Sequence, residues 1–151
     1  MTCLTPSVLV IALELFAGIM VWSTVSGEMN IPTLSFFSEV DQDALLVAHG
    51  IHPEAVPLGD IQAISVERVL DLAMEYPNAL FTCVGGPPCT DVSLLKEGRA
   101  GAFGQFSGLR EEFKRIAQPL RQKLQNRFVG LMECTAMEEH DRLTLVLPLT
   151  T

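Results

Sequence analysis

The sequence predicts a doubly wound α/β fold built on a mostly parallel sheet. Short, nearly continuous apolar runs recur along the chain, as in strands buried on both faces, and helix-like stretches alternate with them. At 151 residues and 48% hydrophobic composition there is enough apolar material for one buried core, so one domain is expected over residues 1–151.

The first apolar run, residues 8–15, opens a longer apolar stretch that reaches residue 22. Glu14 interrupts it and no basic residue precedes it, so it reads as a buried strand running into a turn rather than a signal peptide or a membrane span. Further strands are expected at 33–38, 55–58, 79–84, 127–134 and 143–149, with helices at 41–48, 65–75 and 109–125. Ser65 is a cap candidate for the second helix, whose Val66, Val69, Leu70 and Ala73 fall on one face. Pro119 is expected to kink or split the third.

Ligands of doubly wound sheets bind beyond the carboxyl ends of the strands, so functional residues are sought there. The first strand ends in Phe16-Ala17-Gly18, where small residues let a ligand approach the backbone. The second ends at Glu39-Val40-Asp41, an acidic group placed to hydrogen-bond a ribose, with Asp41 equally suited to capping the next helix. The third ends at Asp60-Ile61, where Asp60 alone reads as a turn or cap residue.

The sharpest signal follows the fourth strand: Gly85-Gly86-Pro87-Pro88-Cys89-Thr90-Asp91-Val92-Ser93. Two prolines present a cysteine at the mouth of a loop that carries Gly85, Gly86, Gly98, Gly101, Gly104 and Gly108. Cys83 fits an apolar strand interior, whereas Cys89 lies where solvent and substrate can reach it. The four cysteines show neither a CxxC pair nor a finger spacing, so no metal site is expected.

The Pro-Pro-Cys loop, the Phe16-x-Gly18 turn and the Glu133 strand end, in this order, resemble the DNA cytosine-5 methyltransferases, and Gly85 to Ser93 with Gly98-Arg99-Ala100-Gly101 looks closest to the de novo type. The resemblance covers roughly residues 8–137. It implies a Rossmann-like S-adenosylmethionine-dependent methyltransferase fold, truncated at its C-terminal side, and DNA (cytosine-5-)-methyltransferase activity. Phe16 would pack on the adenine, with Ala17 and Gly18 along the methionine part. Glu39 and Val40 would lie at the ribose, Asp60 and Ile61 at the adenine, and Pro87 beside the cofactor.

The resemblance further implies that Cys89 adds to carbon 6 of a flipped-out cytosine and that Glu133 hydrogen-bonds the ring nitrogen and amine. Loop amides or nearby cations are expected to favour the Cys89 thiolate, and partial burial behind the cofactor to keep a proton on Glu133. Ser93, Lys96 and Arg99 are the expected nucleic-acid loop contacts. Localisation would be nuclear in a eukaryote and cytoplasmic otherwise.

Three departures from the family pattern stand out. Cys134 and Thr135 replace the residues that usually support the glutamate, Met20 stands where a small residue is usual and is expected to crowd the cofactor, and the chain stops before the arginine-bearing motif, the DNA-reading region and the segment that completes the cofactor pocket. A formal charge of -8 is the wrong sign for neutralising phosphates, so DNA binding is expected to need local basic patches, a complementary C-terminal half or a methyltransferase partner. Two alternatives stay open: a non-catalytic regulatory partner module, and a tRNA cytosine-5 methyltransferase fragment.

The remaining polar groups read as bland. His49 and His52 are expected to be solvated, and Arg110, Lys114, Arg115, Arg121, Lys123 and Arg127 to form a solvated helix face.

Overall fold

Every residue of Val10–Leu15 is buried, which marks this segment as the central strand, β1. It pairs in parallel with β2 (Thr33–Ser38) on one side and β4 (Leu80–Gly85) on the other. A short β3 (Val56–Pro57) extends the β2 edge and β5 (Phe128–Met132) the β4 edge, again in parallel, in the order β3-β2-β1-β4-β5. This is a computed structural model, and it describes residues 8–91, 93–94, 97–98, 100–101, 108–136 and 139. The expected strand at 143–149 lies outside them.

Alternation along β1 sorts its side chains onto two faces. Ile11, Leu13 and Leu15 join the main core with Phe81 and Cys83 of β4, Val69 and Ala73 of α3 (Val66–Glu75), and Phe113, Ile116 and Leu120 of α4 (Gly108–Leu124). The opposite face carries α1 (Val21–Glu28) and α2 (Gln42–Ile51), where Met20, Phe37, Ala48 and Ala55 form a second, smaller core. Helices on both faces make the fold doubly wound, as the sequence pattern predicts.

The helix starts follow capping chemistry. Asp41 accepts a hydrogen bond from the Ala44 amide at 2.9 Å and Ser65 from Arg68 at 3.3 Å, each satisfying an amide that the first turn leaves without a partner. Pro119 does not split α4, which runs unbroken to Leu124. Phe113, Ile116, Ala117, Leu120 and Leu124 are buried on both sides of the proline, and their packing offsets the one backbone hydrogen bond it removes.

Met20 also departs from expectation. It adopts a left-handed conformation (φ 61°) ahead of α1 and is fully buried against Phe37, Ala48 and Ala55, so its bulk fills the second core rather than a ligand site. Nor is His52 simply solvated: its ring nitrogen lies 2.9 Å from the Thr24 hydroxyl. His49 is exposed, though its ring meets Phe37 edge-on. No helix among the described residues is long and apolar enough to cross a membrane.

The α1 face holds a buried carboxyl. Glu14 is 3% exposed, accepts a hydrogen bond from the Ser23 hydroxyl, and Ser23 in turn lies 2.6 Å from the Ser35 hydroxyl. Burial raises the Glu14 pKa above the ordinary carboxylate range, against the opposing pull of the Ser23 hydrogen bonds. A folded-state pKa above the unfolded value means that the native chain holds the proton longer. The contribution of Glu14 to stability is therefore fully present below the ordinary glutamate range and is lost as pH rises through the raised value, by at most about 1.4 kcal/mol per pH unit for one proton. Glu14→Gln keeps an acceptor for Ser23 and should flatten this fall; urea denaturation of both chains across mildly acidic to neutral pH checks it, and equal slopes would refute it.

Candidate active site

The strand order turns back between β1 and β4, and their carboxyl ends open the crevice where doubly wound folds take ligands. Phe16 leaves β1 with φ 56°, a left-handed conformation that costs a bulky residue about 1 kcal/mol and persists only where its surroundings hold it. They do so through backbone and side chain together. The Ala17 amide donates to Ser38 O at 3.0 Å, and the Gly18 amide to Glu39 Oε2 at 2.8 Å.

Glu39 is thus a hub between the first two strand ends. Its Oε1 accepts from the amides of Val40 at 2.7 Å and Asp41 at 2.9 Å. Asp60 caps a short 3-10 turn by accepting from Gln62 N at 2.9 Å, as its turn chemistry suggests. Arg115 clamps this turn from α4 by donating to the carbonyls of Ile61 and Ile64, each at 2.9 Å.

Phe16, Gly18, Glu39, Val40, Asp60 and Ile61 line one cavity of about 300 Å³. Gln62, Pro88 and Leu109 line it as well, three residues that sequence reasoning did not single out. Pro87 does not: it is fully buried beneath the loop, and Pro88 takes the position facing the cavity. Ala17 faces a neighbouring cavity of about 400 Å³ that also meets Phe16, Gly86 and Glu133.

Cys89 sits half-buried in the loop after β4. Its carbonyl accepts from Ser93 N at 2.9 Å, the Gly101 amide reaches Asp91 O at 2.7 Å, and Leu94 N reaches Ala136 O at 3.2 Å, so the loop closes onto itself and onto the segment after β5. Lys96 and Arg99 lie outside the described residues. Cys83 is sealed inside β4, where burial pushes its thiol far above the ordinary range, whereas Cys89 and Cys134 are each half-buried.

Glu133 leaves β5 beside this loop. Its amide donates to Gly85 O at 2.9 Å, and its carboxylate lies so near Gly86 that a β-carbon there would stand 3.1 Å from Oε2. The carboxylate is exposed, because β5 is an edge strand and nothing among the described residues packs over its end.

The basic helix face departs furthest from expectation. Arg110 is completely buried, with Nη2 3.0 Å from the Cys89 sulfur and 2.5 Å from that of Cys134. A cation thus stands beside the loop cysteine. Burial opposes its charge, but the hydrogen bonds and attraction of Cys134 and Cys89 outweigh that and raise its pKa. Burial likewise pushes the Cys134 thiol up, against the Arg110 hydrogen bond. Arg127 donates to Ala79 O at 3.0 Å, so it, too, serves the fold rather than a solvated face.

Set against models of known protein families and against curated proteins, the chain matches none. The functional reading therefore stands on the site's chemistry and on the sequence resemblance of its loops.

Proposed function

We propose that the chain is a DNA (cytosine-5-)-methyltransferase catalytic region that uses S-adenosylmethionine. One observation carries the reading: the carboxyl ends of the parallel strands gather Phe16, Glu39, Val40, Asp60 and Ile61 around one cavity, and Phe16 and Gly86 also line the neighbouring cavity that Glu133 lines. The ordered resemblance of those same segments to the family supports it.

The residues suit the cofactor. A cavity of about 300 Å³ is at the small end of ligand pockets, Phe16 offers an aromatic face, and the Glu39 carboxylate has about four lone-pair sites, three of them used by backbone amides. S-adenosylmethionine, when bound, supplies an electrophilic methyl group on its sulfonium. Cys89 adds to carbon 6 of the cytosine, which makes carbon 5 nucleophilic, with the Arg110 guanidinium 3.0 Å from the attacking sulfur. Glu133 holds the ring nitrogen and amine as charge develops. Ser93 lies where the loop would meet the nucleic acid.

Calorimetric titration with S-adenosylmethionine tests the cofactor half of this reading. Heat of binding is expected for the chain, with affinity about tenfold lower in Phe16→Ala, the size of a lost aromatic stacking contact. Absence of heat with the unaltered chain would overturn the reading.

A second reading, a non-catalytic module that regulates an active methyltransferase, is favoured by charge. The chain carries -8 overall, and Arg110, Arg115 and Arg127 are spent on internal partners, so three of its ten cations are withdrawn from any phosphate contact. Cofactor binding without any cytosine chemistry on either DNA or tRNA would favour the module.

A further inference from the structure

Addition to cytosine needs one thiol, yet two lie together. The sulfurs of Cys89 and Cys134 are 3.7 Å apart, both are free, and both are half-buried on segments that follow strand ends. Between them stands Arg110, completely buried, with Nη2 serving both sulfurs and with Nε and Nη1 lacking a hydrogen-bond partner among the described residues. A buried guanidinium with unused donors beside two thiols is costly unless negative charge arrives there. Thiolate formation and the departure of an oxyanion both bring it.

We propose that Cys89 and Cys134 form a redox-active dithiol that a hydroperoxide closes to a disulfide. The Cys89 thiolate attacks the terminal oxygen of the peroxide, and the O–O bond breaks. The leaving alkoxide or hydroxide takes a proton, and Cys89 becomes a sulfenic acid, its sulfur oxidised by two electrons as the peroxide is reduced. Cys134, giving up its proton, then attacks that sulfur; the S–O bond breaks, the hydroxide leaves as water, and the S–S bond forms. The sum is two thiols and one hydroperoxide giving a disulfide, an alcohol or water, and a second water. Arg110 stabilises the attacking thiolate and the leaving oxygen.

The sulfurs must approach by about 1.6 Å to reach bonding distance, within reach of side-chain rotation on loop residues. Cys83, buried within β4, takes no part. The inference rests on the thiol pair and not on cytosine chemistry. Where both hold, oxidation removes the nucleophile, so the pair would silence methyl transfer until an external dithiol reduces it.

The test uses the full chain without cofactor or DNA, so that its outcome is independent of the methyltransferase reading. Reduced protein is treated with stoichiometric hydrogen peroxide, alkylated and digested for mass spectrometry. The expected product is a Cys89–Cys134 linked peptide pair, lighter by two hydrogen atoms and released by dithiothreitol, with Cys83 still alkylated. Cys134→Ser should halt at a Cys89 sulfenic acid that dimedone traps, and Arg110→Met should slow closure at least tenfold. Thiols that all remain alkylatable after peroxide, or a disulfide pairing either cysteine with another residue or another chain, would overturn the proposal, and both results are read on the unaltered chain. An unchanged rate in a folded Arg110→Met would remove the arginine from it.

Discussion

Gly85→Ala should cost the chain about 3 kcal/mol or more, the upper range for overpacking a closed site, and should abolish with it the S-adenosylmethionine binding proposed above. Gly85 is the last residue of β4, paired with Leu15 on one side and Met132 on the other. A β-carbon there would stand 2.2 Å from the Leu15 carbonyl oxygen and 3.2 Å from the Phe113 ring. The ring can turn, but the carbonyl belongs to the central strand and cannot move without spreading the crevice. Chemical denaturation measures the effect, and a midpoint equal to that of the unaltered chain would show that β1 and β4 do not approach as described. Gly86→Ala provides the contrast: its added carbon meets the end of the Glu133 side chain at 3.1 Å, which can swing away, so stability should change little.

Gly85 also illustrates what the sequence made legible. As one of several glycines in a row of turn formers it reads as the start of the loop, whereas its role is close packing at a strand end. The strands and three helices were readable because they carry apolar runs, or caps such as Asp41 and Ser65. Helix α1 was not, since Val21–Glu28 buries Ser23 and Ser26 rather than an apolar stripe, and no hydrophobic periodicity announces it.

Arg110 was misread for the opposite reason. Its charge suggested solvent, but it stands three residues before Phe113 and six before Ile116, on the stripe that α4 buries. Helical spacing could have placed it inside; which groups would meet it there depended on the return of β5 beside the loop, a pairing between residues distant in sequence. The same holds for Arg115 and Arg127, whose carbonyl partners come from the Ile61–Ala63 turn region and from the approach to β4. Local pattern carries element type, while the partners of long side chains are set by topology.

Cys89→Ser should eliminate covalent capture of DNA containing 5-fluorocytosine while leaving S-adenosylmethionine affinity within about twofold. The fluorine blocks the elimination that frees the enzyme, so the adduct accumulates through whichever atom attacks carbon 6. A serine hydroxyl keeps the loop's size but is a far weaker nucleophile near neutral pH, and Arg110 alone does not ionise it. Glu133→Gln should retain some capture at a rate lower by about 10²–10³, as expected when a group that stabilises developing charge is neutralised. Capture is read as a shifted band on a denaturing gel. Equal capture by the serine variant would place the nucleophile elsewhere, and undiminished capture by Glu133→Gln would detach the β5 carboxylate from the reaction. The fold is not expected to move in either variant, because Cys89 is half-buried on a loop and Glu133 is exposed at a strand end, so a loss of capture would report chemistry and not collapse.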